Sequence, residues 1–64
     1  MANNNRRWMH TEVKGHDLKE AIMNTVKSRG LHCEPSSMGN DWYHIAVYCT
    51  NEEAAELNAI IDTL

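Results

Sequence analysis

Residues 42–49 alternate so strictly that only a strand with two unlike faces accommodates them. Successive side chains of a strand point to opposite sides. Tyr43, Ile45, Val47 and Cys49 therefore share one side, and Trp42, His44, Ala46 and Tyr48 share the other. An earlier stretch divides in the same way, with Trp8, His10 and Glu12 opposing Met9, Thr11 and Val13. Slipping the pairing by one residue would exchange the two sides completely. The pattern calls for a sheet with an aliphatic face to be covered and an aromatic, histidine-bearing face left over.

The cover comes from two helical stretches. Asp17 is a good N-cap residue, and Glu20 three residues on completes a capping-box pair. Leu18, Ala21, Ile22, Thr25 and Val26 then recur at helical spacing, Lys27 and Arg29 suit the negative end of the helix dipole, and Gly30 suits the C′ position. Leu31 to Glu34 reads as a short strand. Pro35 is expected to end it, leaving residues 35–41 as a loop. After the strand 42–49, Thr50 caps a second helix with Glu53 at the capping-box position, and Ala54, Leu57, Ile60, Ile61 and Leu64 form its apolar stripe.

The expected order is β-α-β-β-α, an α+β fold. Its three-stranded mixed or antiparallel sheet carries both helices on one face. The third strand is expected between the first two and antiparallel to both. In topology this resembles the ferredoxin-like split βαβ arrangement lacking its last strand. The missing strand leaves the first strand as an edge, which is a template for further pairing. Two copies are expected to form a homodimer through that edge or through the open face. A hairpin symmetric about residues 35–41 would set His32 opposite His44 and Glu34 opposite Trp42. Pairing of the first strand with the third would bring Trp8 to Tyr48 and Glu12 near His44.

With 64 residues the chain is near the lower limit for a core that folds alone. Residues 1–6 are expected to be a disordered N-terminal tail and 7–64 a single domain. No bilayer-length apolar run and no signal-peptide pattern is present, so the expected location is cytoplasmic and no membrane partner is expected. Cys33 and Cys49 then serve as small core hydrophobes rather than a disulfide. The net charge of −3 opposes a strong binder of phosphate backbones.

The residues expected to carry function are those of the open face: Trp8, His10, Glu12, His32, Trp42, His44 and Tyr48. Aromatic side chains of this kind anchor protein–protein contacts. The expected role is a small non-enzymatic binding module, self-associating or docking on a larger protein. Modules of this size occur among phage and mobile-element accessory proteins, an analogy of size alone. The alternative is single-stranded nucleic acid stacked on the aromatics, as in RNA-recognition domains of ferredoxin-like topology. Residues 42–49 lack the glycines and basic residue of the RNP motif. His10, His32 and His44 with Glu12 or Glu34 have the chemistry of zinc ligands, but no closely spaced pair anchors such a site, and no metal or other cofactor is expected. Catalysis has no complete signature. Both cysteines are placed on the core side, His32 and Cys33 point to opposite faces, and Ser36 and Ser37 have no nucleophile elbow around them.

Overall fold

The computed structural model of the chain describes residues 5–64. Its elements are β1 (Arg7–Lys14), α1 (His16–Ser28), β2 (His32–Gly39), β3 (Trp42–Cys49) and α2 (Asn51–Ile61). The fold is α+β, a three-stranded antiparallel sheet in the order β1-β3-β2 with two helices. Most of the proposed tail, residues 1–4, lies outside the described residues. Arg6 Nε lies 3.5 Å from Glu53 Oε1.

The aliphatic side of the alternation is the core. Val13, Ile45, Val47 and Cys49 from the sheet, Leu31 from the α1–β2 connection, and Ile22, Val26, Ala54 and Leu57 from the helices form one buried cluster. Met9, Leu18, Met23, Cys33, Tyr43 and Ile61 pack around it. Both helices thus cover the same face. At one end Lys19 Nζ sits 5.0 Å from the Tyr43 ring centre, which places a cation over the ring face. Cys33 and Cys49 are free thiols on this side.

The helix ends follow local rules with one departure. Arg29 closes α1, and Gly30 takes φ 73° beyond it. The Gly30 N–H donates to the Lys27 carbonyl at 2.9 Å and the Leu31 N–H to the Val26 carbonyl at 3.2 Å. These two bonds are a Schellman motif, and its accompanying apolar contact joins two core residues, Leu31 and Val26. Thr50 and Glu53 complete a reciprocal capping box on α2, with bonds of 3.1 and 2.8 Å. Asp17, however, does not cap α1. The N-cap is Gly15 at φ 101°, no side chain caps the helix, and Asp17 lies in the first turn, where its charge still meets the positive end of the dipole.

The largest departure from expectation is β2. Pro35 does not end it. The strand runs on to Gly39, and the hairpin turns on Asn40 and Asp41 alone, both at positive φ (54° and 66°). That is the signature of a two-residue type I′ turn. An irregularity between Ser37 and Gly39 absorbs Met38 as an extra, exposed residue. Proline is tolerated because β2 is an edge. The Gly15 N–H donates to the Asp41 carbonyl at 2.8 Å, and Gly15 and Asp41 continue the β1–β3 register by one step. Ladder alternation then turns the backbone groups of the odd-numbered β1 and β3 residues toward each other and those of the even-numbered β3 residues toward β2. Pro35, opposite Ile45, therefore has its nitrogen on the outer side of the sheet, where no ladder bond is lost.

Candidate functional site

The second side of the alternation is the open face, and the registers arrange it in rows across the sheet. The first row is Trp8, Tyr48 and His32 on β1, β3 and β2. The Trp8 ring lies 5.3 Å from Tyr48 and 5.8 Å from His32, the latter edge to face, so the row is one aromatic group. His10, Ala46 and Glu34 form the second row, Glu12, His44 and Ser36 the third, and Lys14, Trp42 and Gly39 the fourth.

Two of the expected cross-strand neighbours are present: Trp8 opposes Tyr48, and Glu12 opposes His44. The pairs expected across the β2–β3 hairpin are not. His32 opposes Tyr48 rather than His44, and Glu34 opposes Ala46 rather than Trp42. The physical reason is the short turn at Asn40 and Asp41, which moves the pivot of the hairpin toward β3 and shifts every β2 residue along its partner.

Ala46 opens space at the middle of the sheet, and His10 reaches diagonally across it to His44. His10 Nδ1 and His44 Nε2 are 2.9 Å apart, with ring centres at 5.0 Å and planes inclined by 19°. A centre separation so close to the N···N distance plus two ring radii means that the rings meet edge to edge in nearly one plane. One nitrogen donates and the other accepts, so at least one imidazole is neutral in this arrangement. His32 Nε2 lies 3.1 Å from Glu34 Oε2, the next residue on the same face of β2. These two pairs stay separate, and among the described residues no three histidine, cysteine or acidic side chains gather as metal ligands.

Exposure divides the two faces sharply. Trp8, Trp42 and Tyr48 are 42%, 41% and 41% exposed, while Ile45 and Cys49 on the reverse of β3 are fully buried. Lys14 and Ser36 also lie on this face, although neither is among the residues expected to carry function. Lys14 continues the even-numbered series from Trp8 to Glu12, although Gly15 beside it is a sequence signal for a strand break. Ser36 lay in what read as loop.

The core side offers little chemistry. Burial, with the Glu53 carboxylate as a smaller cause, pushes the Cys49 thiol up from its ordinary value, so the reactive thiolate is disfavoured. An apolar cleft of about 80 Å³ lies between the sheet and the helices, bordered by Met9, Thr11, Leu57 and Ile61. No helix among the described residues is long and apolar enough to cross a membrane. No protein family matches the chain, and neither curated proteins nor solved structures give a significant match.

Proposed function

We propose that this chain is a small, non-enzymatic, cytoplasmic binding module that holds a protein partner against its open sheet face. Its frame is that of the β-α-β-β-α portion of a ferredoxin-like split βαβ unit. The observation that carries the reading is the contrast between the two sides of the same strands. One side is closed by helices, while the other presents two tryptophans and a tyrosine at about two-fifths exposure. Large rigid aromatics cost little conformational entropy when they are immobilised, which suits them to anchor a contact. Trp8, Trp42 and Tyr48 are the anchors. His10, His44, His32 and Glu12 are polar contacts around the Ala46 depression.

Charge favours protein over single-stranded nucleic acid. Among the described residues the face carries Glu12 and Glu34 against Lys14 as its one permanent cation, so a phosphate backbone laid over it would meet more carboxylate than amine. A photo-reactive benzophenone side chain in place of Ser36 tests the reading in cells. It should give a discrete protein adduct that disappears with Trp42→Ala, while the same group in place of Ala55 on α2 gives none. Far-UV circular dichroism should show that Trp42→Ala keeps the fold. Equal labelling from both positions, or an adduct indifferent to Trp42→Ala, would refute it. Quenching of tryptophan fluorescence by a single-stranded oligonucleotide, reversed by salt, would favour nucleic acid instead.

A further inference from the structure

We propose that two copies of this chain join through their β1 edges, antiparallel about a twofold axis at Thr11, to make one six-stranded sheet. The proposal goes beyond the docking reading and does not depend on it. Among the described residues no strand flanks β1 on the side away from β3. The ladder alternation that turns odd-numbered β1 residues toward β3 leaves the backbone N–H and C=O groups of Trp8, His10, Glu12 and Lys14 directed outward. Such a row accepts another strand with the same spacing.

The side chains choose the strand and the register. For the two open faces to be continuous, each residue must oppose one of the same parity. With Thr11 opposite the partner's Thr11, His10 opposes the partner's Glu12 and Trp8 opposes the partner's Lys14, each twice by symmetry. The first is an opposite-charge or charge-assisted pair. The second places an ammonium beside an indole face. On the core side Met9 meets the partner's Val13 at the border of the apolar cleft. His10 uses Nδ1 toward His44 and has Nε2 to offer the incoming carboxylate.

Neighbouring registers are worse. Centring on His10 opposes the two His10 side chains and puts Arg6 against the partner's Lys14. Centring on Glu12 opposes two carboxylates. Like charges directly opposite destabilise a strand pair. The sequence of β1 is therefore complementary to itself, reversed, about Thr11.

Five variants and a concentration series test this. Sedimentation should show a monomer–dimer equilibrium that Glu12→Lys weakens about tenfold, because the symmetry counts each broken pair twice. The double variant His10→Glu/Glu12→Lys should restore it, since the charges exchange places across the seam. Under mild oxidation Thr11→Cys should give a dimer whose disulfide, mapped by peptide mass, joins the two substituted positions. His10→Cys should link far more slowly, because its symmetry mate is offset by two residues along the partner strand, beyond the reach of a disulfide. Trp42 stands one strand from the seam, so Trp42→Ala should leave dimerisation intact even where it abolishes docking on the open face. A monomer up to millimolar concentration would overturn the proposal. So would a dimer that links through His10→Cys, or one lost with Trp42→Ala and indifferent to Glu12→Lys.

Discussion

Asp41 is the position at which the hairpin geometry is most open to test. Its φ of 66° and that of Asn40 at 54° lie in the left-handed region, where the side chain of an L-residue crowds its own backbone. That conformation costs most residues about 1–2 kcal/mol, and Asp somewhat less because its short side chain can hydrogen-bond locally. Glycine removes the crowding but adds about 0.5–1 kcal/mol of chain freedom in the unfolded state. Asp41→Gly should therefore stabilise the fold by roughly 0.5 kcal/mol, and Asp41→Ala should destabilise it by about the same or more. The bond from the Gly15 N–H to the Asp41 carbonyl is made by backbone and survives both changes. A urea slope of about 1 kcal/mol/M for a domain this small separates the two variants by about 1 M in midpoint. Unfolding followed by tryptophan fluorescence resolves that difference. All three proteins should be compared at one concentration, because the proposed self-association would add stability of its own. An alanine variant as stable as the glycine variant would refute the positive-φ turn. The register of β2, and with it the row Trp8, Tyr48 and His32, would then need revision.

Other perturbations reach the core and the caps. Ile45→Ala empties the fully buried centre of β3 and should cost about 2–5 kcal/mol, a large part of the total for a chain this short. An unchanged urea midpoint would deny β3 its central place. The Thr50 backbone N–H, foremost, holds the Glu53 carboxylate below its ordinary value of 4.5, with Arg6 as a further cause. A carboxyl depressed on folding stabilises fully above that ordinary value and loses its contribution as the pH falls through the depressed one. Glu53→Gln should accordingly flatten this part of the acid branch in urea midpoints measured below about pH 4.5. Steepness identical to that of the unsubstituted chain would count against the capping box. A thiol reagent should label Cys33, which is partly exposed, well before Cys49, and urea should remove the difference. Equal rates in the folded state would contradict the burial of Cys49.

The faces of this protein were legible because a period of two carries over directly from sequence to space. Every residue assigned to the aliphatic side of residues 42–49 packs in or against the core. The capping box of α2 was legible from the spacing of Thr50 and Glu53, but the same spacing at Asp17 and Glu20 misled, because Gly15 starts α1 two residues earlier and leaves Asp17 in the first turn. The extent of β2 was not. Whether a proline ends a strand depends on where its nitrogen points, and that is decided by β3, a partner across the sheet. The turn was hidden too, because the Asn40-Asp41 pair lacks the glycine that usually announces a two-residue hairpin. The open face could be named residue by residue. Its internal arrangement could not, since the His10–His44 contact is a diagonal permitted by the small Ala46 between the strands.

Pro35 and the kink at Met38 have a consequence for growth. A flat sheet with two receptive edges is a bifunctional monomer and can polymerise without limit, as fibres do. On β2 the outer edge lacks an amide hydrogen at Pro35 and loses its straight line at Met38. On β1 neither interruption occurs. Strand addition is therefore confined to the β1 edge, and in the proposed dimer, where both β1 edges are consumed, the outer β2 edges offer a third copy no straight, fully donating row to build on.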